Sequence, residues 1–86
     1  MSNKRFPTPV RVILQHSREV AISSAWEALE FLRSWPADPA SRAYRVAVQH
    51  CLDAVDGILS SRKAQASFIA AAREAGILAK PHQEAA

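Results

Sequence analysis

Residues 10 to 36 read VRVILQHSREVAISSAWEALEFLRSWP, and the period of the apolar positions changes within them. Val10, Val12 and Leu14 alternate with their neighbours, as do Val20 and Ile22, so each set lies on one face of a strand. From Ala25 onward the apolar residues recur at helical spacing: Ala25, Leu29, Leu32 and Trp35. Ser24-Ala25-Trp26-Glu27 is a capping-box pattern. In it the Ser24 hydroxyl accepts from the Glu27 amide, while Glu27 reaches back to Ser24. Trp35-Pro36 stops the run, because the proline ring drives the residue before it out of the helical region. A β-hairpin therefore feeds a helix over residues 25–34. For both apolar sets to share a face, opposed residues must have equal parity. Leu14 opposite Val20 and Val12 opposite Ile22 meets this condition, with His16-Ser17-Arg18 as the connection. Ile13 then lies opposite Ala21 and Arg11 opposite Ser23 on the outer face, and both hairpin edges are left open.

Two further helices follow. Asp38 as N-cap and Pro39 at the first helical position open the second. Its apolar seam is Tyr44, Val48, Cys51, Val55 and Ile58, flanked by Ala47, Leu52 and Leu59. Gly57 weakens its last turn. Ser60 or Ser61 caps the third helix, which buries Ala64, Phe68, Ala71, Ala72 and Ala75. Gly76 is its left-handed terminator, and Ile77 folds back on the last turn. The expected architecture is α+β: an N-terminal β-hairpin followed by three α-helices around one core. Residues 1–8 read as a flexible arm, 9–78 as the single domain and 79–86 as a flexible tail.

Size and composition narrow the function classes. The chain has 86 residues, 11 Lys and Arg against 8 Asp and Glu, one cysteine and three histidines. That is room for one small domain, which needs a staple or a partner for ample stability. A lone Cys51 allows no internal disulfide, and His16, His50 and His82 lack zinc-type spacing, so no metal or other cofactor is expected. No apolar run is long enough to span a bilayer, and the basic start runs into Phe6-Pro7-Thr8-Pro9, not into a signal-like apolar segment. A cytoplasmic protein without membrane attachment is the expectation.

The sequence offers little chemistry. His50 and Cys51 adjoin, but neighbours on a helix diverge by about 100°, so they do not form a catalytic pair. Trp26, Phe31 and Trp35 read as aromatics that widen the core of the first helix. Ser60 and Ser61 are explained by capping, and Glu27 by the capping box. No catalytic residue is assigned, and the expected protein is not an enzyme. Helix two does carry its charges against its own dipole, with Arg42 and Arg45 near the positive end and Asp53 and Asp56 near the negative end. Each such exposed charge costs about 0.3–1 kcal/mol. Two such helices packed antiparallel about a twofold axis would bring the opposite charges together.

Several segments resemble a family of small bacterial proteins grouped as domain of unknown function nine-eight-two. They are Pro9-Val10-Arg11-Val12, Arg18-Glu19-Val20, Trp26-Glu27-Ala28-Leu29, Trp35-Pro36 and the stretch FIAAAREAGI at residues 68–77. The resemblance implies a small α+β domain over residues 6–78 and brings no catalytic residues with it.

The expected function is a non-enzymatic protein-interaction module that self-associates, as a dimer, or binds another protein. Its candidate interface residues are Arg11, Ile13 and Ala21 on the hairpin and Arg42, Arg45, Asp53 and Asp56 on helix two. One alternative is a nucleic-acid-binding regulator using Lys4, Arg5, Arg11 and Arg18, whose binding would fall steeply with salt. A second is a small-molecule sensor or enzyme with a pocket near Trp26.

Overall fold

The computed structural model describes residues 5–14, 18–34 and 41–79. Strand β1 spans Arg5–Leu14 and pairs antiparallel with β2, Arg18–Ser24. Helices α1 (Ala25–Ser34), α2 (Arg42–Val55) and α3 (Ser61–Ala75) follow. The α+β arrangement of a hairpin and three helices is as expected.

The register is not. Val10 faces Ile22, Val12 faces Val20 and Leu14 faces Arg18, so the pairing is slipped by two residues from the expected one. Arg11 thus faces Ala21, and Ile13 faces Glu19. A slip of two preserves parity, so the pattern of apolar residues cannot distinguish the two registers. The observed one leaves only residues 15–17 for the connection.

Strand β1 also starts earlier than expected. Residues 5–8, assigned to a loose arm, are strand, and Phe6 is only 5% exposed. Its ring sits 6.3 Å from that of Phe68. The amide of Gln65 donates to the Thr8 carbonyl at 2.7 Å, which ties this end of β1 to α3. The alternation that marks a strand is broken by the prolines at 7 and 9, so this stretch carries no period to read.

At the start of α1 the Ser24 hydroxyl accepts from the Glu27 amide at 3.1 Å. Glu27 returns the favour to the Ser23 amide at 2.7 Å, one residue before the expected Ser24. Trp35 and Pro36, the expected stop, lie outside the described residues. So do Asp38 and Pro39. The N-cap of α2 is Ser41, whose hydroxyl accepts from the Tyr44 amide and donates to the Glu74 carboxylate at 2.6 Å. Glu74, near the C-terminus of α3, thereby sets a negative charge beside the positive end of α2.

Helices α2 and α3 end in the same way. Gly57 and Gly76 have φ of +82° and +76°. The amides that follow turn back onto the helix: Ile58 onto the Asp53 carbonyl and Ile77 onto the Ala72 carbonyl. These are Schellman turns. Gly57 is thus a terminator and not a weak point inside the helix. It also explains why Ile58, expected in the seam, is 73% exposed. An added Cβ at Gly76 would meet nothing within 4 Å, so substitution there carries only the backbone strain. Gly76→Ala is expected to cost about 1 kcal/mol, visible as a lower urea midpoint at unchanged slope.

The helices meet through small residues. Ala25 and Ala28 of α1, Ala47 and Ala54 of α2, and Ala64, Ala71 and Ala72 of α3 are all buried. Phe68 fills the space left between them and is fully buried. Phe31 meets it edge-on, with ring centroids 6.0 Å apart. Trp26, expected to widen this core, is 53% exposed instead. It occupies the second position of α1, which faces away from the buried stripe of Ala25, Ala28, Leu29 and Leu32. Ala75, expected in the buried stripe of α3, is also exposed.

The hairpin edges are not both open. After the Gly76 turn the chain runs back along β1. The Ile13 amide donates to the Ile77 carbonyl at 2.6 Å, and the Ala79 amide to the Arg11 carbonyl at 3.0 Å. Leu78 forms a bridge with Val12. Residues 77–79 therefore cover the outer edge of β1 along Arg11–Ile13, and Ala79 belongs with the domain. Three residues are too short a run to announce a strand in sequence.

Candidate functional site

The hydrogen bonds of residues 77–79 show which way the backbone points over Val10–Leu14 and the β2 residues paired with them, the register shifting between Arg5 and Val10. Arg11 and Ile13 direct their backbone groups toward residues 77–79. Alternation then directs those of Val10, Val12 and Leu14 toward β2, onto Ile22, Val20 and Arg18. The amides and carbonyls of Glu19, Ala21 and Ser23 consequently face away from β1. The Ser23 amide is taken by Glu27. Those of Glu19 and Ala21 bond to no described residue. Strand β2 thus has an open outer edge.

The outer face beside that edge holds Arg11, Ile13, Glu19 and Ala21, all exposed, with Ile13 at 40%. Arg11 and Glu19 form a diagonal ion pair at 3.6 Å. This pair exists because of the observed register, which sets Glu19 opposite Ile13 and so two residues from the partner of Arg11. Of the basic residues considered for nucleic acid, Arg11 is thus tied to an acid, and Lys4 lies outside the described residues. Arg5 and Arg18 stand at opposite ends of the hairpin, about 20 Å apart at the rise of a strand. They form no common stripe.

On α2 the four charged residues singled out from the sequence all reach the surface. Arg42, Arg45 and Asp56 are exposed, and Asp53 is half-buried and accepts from the Gln49 side chain at 3.0 Å. Leu52 is 40% exposed among them. The other face of α2 is held by two polar contacts that sequence did not suggest. The Tyr44 hydroxyl donates to the Leu32 carbonyl at 2.9 Å, and the His50 Nδ1 shares a hydrogen bond with the Ser67 hydroxyl of α3. Both join residues far apart in the chain, so no local spacing signals them.

Cys51, next to His50, is fully buried and points the other way. Burial pushes its thiol from 9.0 up to about 12. The thiolate is the reactive form, so native protein at pH 8 is expected to resist aromatic disulfide reagents until urea exposes the thiol. The raised value also has a stability consequence. The protonated thiol's contribution is intact below pH 9 and is lost as pH climbs toward about 12. Cys51→Ala is expected to flatten that alkaline fall.

A groove of about 560 Å³ lies between the middle of β1 and α3, where Arg11, Gln65, Ile69 and Arg73 line it. Trp26 does not line it, so the cavity foreseen near Trp26 is not where this groove lies. Among the described residues no group of three or more His, Cys, Asp or Glu could hold a metal ion. No described helix is long and apolar enough to cross a membrane.

Comparison with known proteins agrees with this geometry. No curated protein matches the chain. A protein of Agrobacterium tumefaciens whose structure was determined by NMR is 30% identical, with a TM-score of 0.76 over 94% of this chain and 81% of that one. A family model described as protein of unknown function, DUF982, matches residues 8–79. The three helices, residues 77–79 and all but the first three residues of the hairpin fall within that match, and the chain belongs to the DUF982 family of proteins of unknown function.

Proposed function

We propose that this chain is a non-enzymatic protein-interaction module that self-associates. The observation that carries the interaction reading is the open outer edge of β2, while Arg42, Arg45 and Asp56 of α2, which pair with no described residue, support self-association. Unpaired amides and carbonyls at Glu19 and Ala21, beside an exposed Ile13, form a template for another chain. The size of the domain supports the same reading, because 86 residues bury a modest share of their surface alone. The location assigned to such a module is the cytoplasm, consistent with a single buried thiol.

Mass measured in solution over a dilution series tests the proposal. A species of twice the chain mass that dissociates on dilution is expected. A monomer at every concentration, up to the millimolar range, would end the self-association part of the reading.

A further inference from the structure

Two surfaces could join one copy of the chain to another, the β2 edge and the outward face of α2. We infer that α2 is the twofold surface and that it packs antiparallel against α2 of a second copy, with Gln49 on the axis. The inference rests on the self-association proposed above and names the surface responsible.

The outward face of α2 is made of Arg42, Arg45, Val46, Gln49, Leu52, Asp53 and Asp56. At 100° per residue these fall within an arc of about 120°, opposite the buried Ala47, Cys51 and Ala54. Their order along the helix is symmetric about Gln49. Arg42 stands seven residues before it and Asp56 seven after. Arg45 stands four before and Asp53 four after. Val46 stands three before and Leu52 three after. In an antiparallel pair centred on Gln49, each residue meets its counterpart at the same level. Every arginine then meets an aspartate, and Val46 meets Leu52. A twofold interface requires one patch to complement itself, and this patch does so at every position.

Within one chain these charges are idle. Arg42, Arg45 and Asp56 pair with no described residue, and Asp53 takes only the neutral Gln49 amide. They also stand at the wrong ends of the helix dipole, which disfavours them unless a partner is present. A second copy laid antiparallel supplies opposite charge and an opposed dipole together. A parallel arrangement would stack arginine on arginine, so the pattern also selects orientation. The β2 edge is the poorer surface for self-pairing. It offers the backbone groups of only Glu19 and Ala21 in full, since Glu27 already holds the Ser23 amide. An α2 dimer leaves that edge free for a strand from another protein.

Charge reversal distinguishes the two surfaces. Arg45→Asp alone and Asp53→Arg alone each place like charges at the same level, four residues from the axis. Each is expected to weaken self-association at least tenfold at low salt. An equimolar mixture of the two variants is expected to form a heterodimer of wild-type strength, since each supplies what the other lacks, and the double variant is expected to regain the homodimer. Association of the wild type is expected to weaken as salt rises. Ala21→Pro removes one outward amide of β2 and is expected to leave association unchanged. Far-UV circular dichroism verifies that each variant is folded. If either α2 variant fails to fold, Arg42→Asp and Asp56→Arg provide the same test at the helix ends. Wild-type association that survives the α2 reversals but is lost in Ala21→Pro overturns the inference and leaves self-association standing. A wild type that is monomeric throughout overturns both.

Discussion

Phe68→Ala is expected to destabilise the domain by about 4 kcal/mol, near the upper part of the range for aromatic truncation in a core. Phe68 is fully buried and sits between the rings of Phe6 and Phe31. The size of the effect follows from its neighbours. Ala64, Ala71 and Ala72 line the same helix face, and a methyl group cannot swing into the space that the ring leaves. The cavity therefore stays open, and its cost adds to the lost transfer free energy. A domain of 86 residues has a total stability of about 4–13 kcal/mol. The loss therefore takes between about a third and all of that stability. Urea denaturation followed by far-UV circular dichroism is the proper measurement, because Trp26 is exposed and reports poorly on the core. A loss under about 1 kcal/mol would mean that the three helices close over the gap, contrary to the packing described.

Phe6→Ala is expected to cost about 3 kcal/mol. This variant separates two pictures of the N-terminal segment. If residues 1–8 were a loose arm, removing the ring would change nothing measurable. With Phe6 buried against Phe68 and the Thr8 carbonyl held by Gln65, the segment is the outermost part of the core. The same urea experiment reads the difference as a shift in midpoint. Phe6 and Phe68 are in direct contact, so the double variant is expected to lose less than the sum of the two single losses.

Much of the architecture can be read from the sequence because it is local. The Ser24–Glu27 cap, the Ser60 cap and the Gly76 terminator involve hydrogen bonds within six residues, and all three occur in the structure. The hairpin and the limits of α1 and α3 follow from the same short-range logic. The resemblance to the DUF982 family also rests on local segments, and the family model matches residues 8–79. The charge symmetry of α2 is also local, because it depends only on spacing about Gln49 within one helix.

What sequence left open has one cause. Hairpin register is degenerate under a slip of two, since alternate residues share a face whichever register is used. The observed choice leaves residues 15–17 for the connection and brings Arg11 within reach of Glu19 across the strands. Phe6, Leu78 and the Ser41–Glu74 and His50–Ser67 contacts join residues distant in the chain, and no local pattern records such meetings. Sequence by itself determined the order of the elements, the caps of α1 and α3 and the charges carried by α2, because each depends on neighbours within a few turns. Only the tertiary structure decided that residues 77–79 cover one edge of β1 while the edge of β2 stays open. That outcome depends on where the Gly76 turn, carried by a packed α3, delivers the chain.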